Sequence, residues 1–96
     1  MNNNKDTDKQ FCPICHIEVQ PFPRYPNYVC KACYAKAADK DGRPLEFSNI
    51  DFWGGYQAIY ADNQDIYDDH VCYIDGIKCW ADEARFGGIV IEKQII

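Results

Sequence analysis

No apolar run in this 96-residue chain reaches the roughly 18 residues needed to cross a bilayer. No charged-then-apolar leader opens it either. The expectations are no membrane span, no export and a cytoplasmic location. Phosphate-cradling glycine loops are also missing: Gly54-Gly55 and Gly87-Gly88 fit neither G-x-G-x-x-G nor the Walker spacing. Repeats and low-complexity tracts are absent beyond the Asn-rich start, and residues 1–9, polar throughout after Met1, read as a disordered tail. Positive charge is scarce in one half of the chain. Residues 44–96 hold three Lys/Arg against ten Asp/Glu, whereas residues 1–43 hold seven against five. Nucleic-acid binding rests on neutralising phosphates, so this balance makes such a partner unexpected. An acidic region suits a basic protein partner, or is simply a soluble surface.

Cysteine, by contrast, is present in a pattern. Cys12-Pro13-Ile14-Cys15 and Cys30-Lys31-Ala32-Cys33 are two C-x-x-C hooks with fourteen residues between them. That spacing predicts one structural Zn2+ held by Cys12, Cys15, Cys30 and Cys33. Four thiolates close the tetrahedral shell, so no position is left for water or substrate, and the ion is a scaffold. Two disulfides or a redox dithiol are the competing readings. The redox motif needs a βαβ context, which the Pro-rich segment after the first hook does not supply. His16 directly follows a ligand and reads as a knuckle residue facing water. A chain this short has a limited core, so a metal staple is physically useful, and fourteen aromatics (seven Tyr, five Phe, two Trp) predict a shared aromatic core.

The expected architecture is small, metal-bound and mainly β. A zinc ribbon over 10–43 packs on an antiparallel β lobe over 44–96, with one short helix. Ile17-Glu18-Val19 alternates as a short strand, and Pro21 to Tyr28 predicts a rigid exposed loop or sheet edge. Residues 32–40 predict one or two helical turns stopped at Gly42. Strands are expected at Leu45–Ser48, Tyr56–Tyr60 and Ile89–Glu92, the last of them buried, with a turn at Asp62–Asp65. Asp75-Gly76 between alternating runs is the composition of a two-residue type I′ hairpin. Its register sets Ile74 opposite Ile77, Tyr73 opposite Lys78, and Cys72 opposite Cys79. Residues 82–86 are expected to form a helical turn before Gly87-Gly88.

Cys72 and Cys79 carry three readings: buried small hydrophobes, a redox-sensitive thiol pair, or further metal ligation with His70 on the same strand face. A Cys–His nucleophile would need an oxyanion site and an orienting group, and no pattern marks them. Two surfaces are candidates for partner contact. One is the loop between the hooks, with Arg24, Tyr25 and Tyr28; stacked aromatics there also suit single-stranded nucleic acid. The other is the acidic set Asp68, Asp69, Asp82 and Glu83 with Arg85, for which turn capping and ion pairing are the structural alternatives.

Taken together, Cys12-Pro-x-Cys15, Pro23-Arg-Tyr-Pro-Asn-Tyr-Val-Cys30, Asp41-Gly-Arg-Pro44, Cys72-Tyr-Ile-Asp-Gly76 and Ala81-Asp-Glu-Ala-Arg-Phe-Gly-Gly-Ile-Val90 form a set. In that set the chain resembles a family of small bacterial zinc-ribbon proteins of unassigned function, over residues 11–91. The resemblance implies the ribbon and its zinc; it assigns no catalytic residue. The functional expectation is protein–protein binding, in its narrower form an immunity protein that neutralises a toxin through the acidic lobe. The alternatives are a nucleic-acid or transcription-associated zinc ribbon, or a small thiol redox sensor or enzyme using His70, Cys72 and Cys79.

Overall fold

The computed structural model describes residues 9–85 and 87–94. The expected tail over 1–9 lies outside these residues except for Lys9. The described chain is mainly β, with three antiparallel sheets and one helical turn. Strands β1 (Gln10–Phe11) and β2 (Glu18–Val19) form a ladder that carries the first hook at its turn. The helix α1 spans Lys31–Tyr34, with Cys30 as its N-cap. It is shorter than the 32–40 expected from composition. The reason is tertiary: Ala38 exchanges both backbone hydrogen bonds with Tyr73 (2.8 and 2.9 Å), which extended backbone can do and a helix cannot.

Strands β3 (Leu45–Ser48) and β4 (Gln57–Tyr60) pair in register from Leu45↔Tyr60 to Ser48↔Gln57. The main sheet has the order β5 (Val71–Ile74), β6 (Ile77–Glu83), β7 (Ile89–Lys93). The Asp75-Gly76 turn joins β5 to β6, and both residues take positive φ (52° and 81°), as a type I′ turn requires. Its register is the expected one, including Cys72↔Cys79. The expected helical turn over 82–86 is not formed. Asp82 and Glu83 continue β6 opposite Val90 and Ile89, because pairing along the whole of β7 satisfies backbone groups that a turn would leave free. Phe86 lies outside the described residues.

Segments flanking the second hook close both edges of this sheet. Val29 N–H donates to Ile91 O (3.0 Å) and Lys93 N–H to Asn27 O (3.0 Å) along β7, while Ala38 lies along β5. Edge strands are thereby paired and not left open. The Pro-rich loop between β2 and the second hook is largely exposed, and Gln10 pins it by donating to Tyr25 O and accepting from Phe22 N–H.

The core is not aromatic, contrary to expectation. Its buried members are Cys12, Val29, Cys33, Ala37, Leu45, Cys72, Ile74, Cys79, Ala81 and Ile91, with Tyr34, Phe47, Tyr56, Tyr60 and Tyr67 packed around them. Tyrosine hydroxyls explain that arrangement, since each needs a partner. Tyr67 donates to Val71 O and Tyr56 to Asp69 O, which holds the rings at the rim. Strand β7 is likewise only half-buried apart from Ile91.

Candidate metal centre and surrounding surfaces

The two hooks reach one point by different backbone routes. At the first, Cys12 N–H donates to Ile17 O (2.8 Å) and His16 N–H to Cys12 O (2.9 Å), which folds Pro13–Cys15 into a knuckle. His16 takes φ 68° there and faces solvent. At the second, Cys30 caps α1 and Cys33 lies in its single turn, so both thiols leave one end of the helix. The four Sγ atoms all lie within 4.8 Å of one another, and Cys15 and Cys30 approach to 3.6 Å. A tetrahedral ion with metal–sulfur bonds of ~2.3 Å has sulfur–sulfur edges of about 3.8 Å. The donor set therefore fits a thiophilic metal ion with only small adjustments. Among the described residues it is the one group of His, Cys, Asp or Glu side chains that can hold a metal. All six cysteines are free, so no disulfide competes for these thiols.

Electrostatics favour thiolate at this point. Burial works against ionising Cys12, but the surrounding N–H groups outweigh it and lower its pKa to about 6. Two of these donors are Ile14 N–H (3.4 Å) and Cys30 N–H (3.3 Å). Cys33 moves the other way, raised by burial and by the neighbouring cysteines. Without a cation, one thiolate makes the next harder to form, and a divalent ion removes that penalty. Bound there, it cross-links the β1–β2 turn to α1 with all four positions taken by protein.

Cys72 and Cys79 face each other on the core side of the main sheet and are fully shielded from solvent. Burial raises their pKa to about 12 and about 11, which keeps both as neutral thiols. His70 does not join them. Its ring is stacked between Tyr56 (centroids 4.2 Å, 19°) and Trp80 (4.8 Å, 8°), and Nδ1 lies 2.7 Å from Ala81 O. Further ligation by His70 and Cys72 is therefore not what the fold builds.

The expected contact residues divide among several places. Tyr25 OH accepts from Arg85 N–H (2.8 Å), joining the ribbon loop to the segment just after β6 across sixty residues, while Tyr28 OH donates to Gln20 O. Both hydroxyls thus hold the loop, and Arg24 is exposed on it. Asp69 accepts from His70 and Val71 N–H, Asp82 lies 3.8 Å from His70 Nδ1, and Glu83 accepts from Gly55 N–H (2.9 Å). Asp68 is exposed beside an apolar groove. Sequence reasoning passed over Phe52 and Trp53, which stand 91% and 87% exposed at the β3–β4 turn. Their signal was available: two large aromatics directly preceding Gly54-Gly55.

None of the described helices is long and apolar enough to cross a membrane. Comparison with known proteins finds no matching family model, no matching curated protein and no matching solved structure.

Proposed function

We propose that this chain is a zinc-ribbon protein in which one structural Zn2+ shapes the N-terminal half and the acidic second half binds a basic protein partner. The observation that carries the partner reading is the charge distribution: from Pro44 to Ile77 there are seven Asp/Glu and no Lys or Arg. Binding of this kind works by complementarity and steering, and needs no catalytic group. Zinc is the natural ion for a closed four-thiolate shell, and the motif resemblance to small bacterial zinc-ribbon proteins points the same way. Thiolate ligation is best served by a reducing compartment, so we place the protein in the cytoplasm. The narrower form is an inhibitor or immunity protein that occludes the basic active site of a toxin.

The test has two parts. Metal analysis of purified protein should give one zinc per chain; a different metal would overturn the zinc assignment, and a folded protein that binds no metal would overturn the ribbon. Affinity capture from native lysate should recover a stoichiometric basic protein that survives nuclease and is lost when the acidic half is neutralised. Recovery of nucleic acid alone would move the function to the Arg24–Tyr28 loop.

A further inference from the structure

Phe52 and Trp53 are the most exposed of the large apolar side chains among the described residues, and they stand together. Their ring centroids are 5.3 Å apart and the planes are nearly perpendicular. They occupy the two central positions of a tight turn closed by Gly54 N–H to Asp51 O (3.1 Å) and Ile50 N–H to Gly54 O (3.0 Å). Trp53 N–H also donates to the Asp51 carboxylate (2.8 Å). Gly54 takes φ 112°, a backbone state that side chains rarely adopt.

The turn is fastened to the body. Asn49 donates to Gly55 O (2.8 Å) and accepts from Gly88 N–H (2.8 Å), and Glu83 holds Gly55 N–H. Two large rings are thus presented to water on a braced support. Ile50 connects the turn to a groove of about 250 Å³, lined also by Tyr56, Ala58, Ile66, Tyr67 and Asp68. Exposed aromatics beside an apolar groove are the composition of an interface centre, where a few such side chains carry most of the binding energy.

Charge selects the occupant. Asp51 lies in the turn, Asp68 in the groove wall, and Glu83 beside Gly55. A second copy of this chain, with formal net charge −5, brings the same carboxylates against them. Nucleic-acid phosphates meet the same repulsion. We propose that the Phe52–Trp53 turn and the adjoining groove are the docking site for a basic, apolar segment of a protein partner. An apolar side chain of that segment fills the groove beside Ile50, and its Lys or Arg residues meet Asp51 and Asp68. The inference rests on the reading of the acidic half as a protein-binding region. It places the contact on a turn that none of the other candidate residues belongs to.

The experiment is selection from a displayed library of random peptides on the full zinc-loaded chain. Synthetic versions of the enriched peptides are then measured against Phe52→Ser/Trp53→Ser and Asp51→Asn/Asp68→Asn. Enriched peptides should interleave Lys or Arg with apolar residues. The ring variant should weaken them at least ~30-fold, and the carboxylate variant should flatten the salt dependence. Both rings face water, so the ring variant should melt with the wild type. Peptides that ignore the ring variant would sink the docking site, and if their binding still falls with salt the acidic-half reading stands. Binding insensitive to both variants and to salt, or no enrichment at all, would sink both. Sedimentation showing a dimer that the ring variant abolishes would give the surface to a second copy and overturn the proposal.

Discussion

Cys12 and Cys72 are both withdrawn from solvent in one apolar cluster, yet their surroundings push their chemistry in opposite directions. Around Cys12 the backbone turns its N–H groups onto the sulfur, and the pKa falls to about 6. Around Cys72 the neighbouring backbone N–H groups are taken, Tyr73 N–H by Ala38 O and Val71 N–H by Asp69, so burial dominates and the pKa rises to about 12. Burial alone therefore does not say what a cysteine does. A knuckle leaves backbone donors over for sulfur, while a regular strand uses them in pairing. The first kind of backbone surrounds Cys12 in the four-cysteine cluster, and the second surrounds Cys72 in the main sheet.

The largest effect should come from breaking the metal side. Cys12→Ser removes a ligand from a site whose binding is coupled to folding, for which apparent values of ~10 kcal/mol and more are typical. The variant should lose zinc and its cooperative thermal transition together. A zinc-free Cys12→Ser protein with an unchanged melting temperature would end the scaffold reading.

Cys72→Ser sharpens the same comparison. It should keep full zinc but lose about 1–3 kcal/mol, because a hydroxyl replaces a thiol where solvent cannot reach. Denaturant titration of the zinc-loaded variant measures this, and zinc loss would show that the two cysteine sets are one site. In the native protein, Cys72 and Cys79 should resist alkylation until the chain unfolds.

The hairpin offers a comparably sized test of the β half. A Cβ on Gly76 would meet nothing within 4 Å, so Gly76→Val is penalised by its φ of 81° and not by a clash. The expected loss is ~1–3 kcal/mol, read as a lower melting temperature at constant zinc content. Unaltered stability would mean that the turn does not need its left-handed backbone.

Acidity should separate the halves by sign. In the metal-free chain Cys12 has a folded pKa of about 6 against an ordinary 9.0, so its thiolate contribution is complete above 9.0, fades as pH falls, and is gone below about 6. Cys72 is raised from 9.0 to about 12, so its contribution is complete below 9.0 and is lost as pH rises towards 12. Protons compete with the metal for its thiolates, so metal release should define the acid limb and melting without prior metal loss the alkaline limb, followed by a zinc indicator and circular dichroism in parallel. The smallest effect is expected where the halves meet on the surface. Lys36 and Asp75 pair at 2.9 Å, but both are more than half exposed, so Asp75→Asn should change stability by less than about 1 kcal/mol.

Local chemistry was legible wherever neighbours in the chain decide it. Asp75-Gly76 dictates its turn because few residue pairs accept two consecutive positive φ values, and the alternating runs on either side then set Cys72 against Cys79. Leu45–Ser48 was legible in the same way. Over 32–40 composition favours helix, while Tyr73, far along the chain, claims the backbone of Ala38. Over 82–86 local composition favours a turn, while the partner that makes Asp82 and Glu83 a strand is β7, later in the chain. Spacing sets His70 on a strand face with Cys72, but the rings of Tyr56 and Trp80 stack on its imidazole.

The two cysteine hooks, the Asp75-Gly76 turn and the uneven charge follow from residues adjacent in the chain. Long-range pairing brings the four hook sulfurs within 4.8 Å of one another, keeps Cys72 and Cys79 neutral, and leaves Phe52 and Trp53 in water. Which backbone donors are left over, and which rings find room at the rim of so small a core, depends on pairings made across the whole fold.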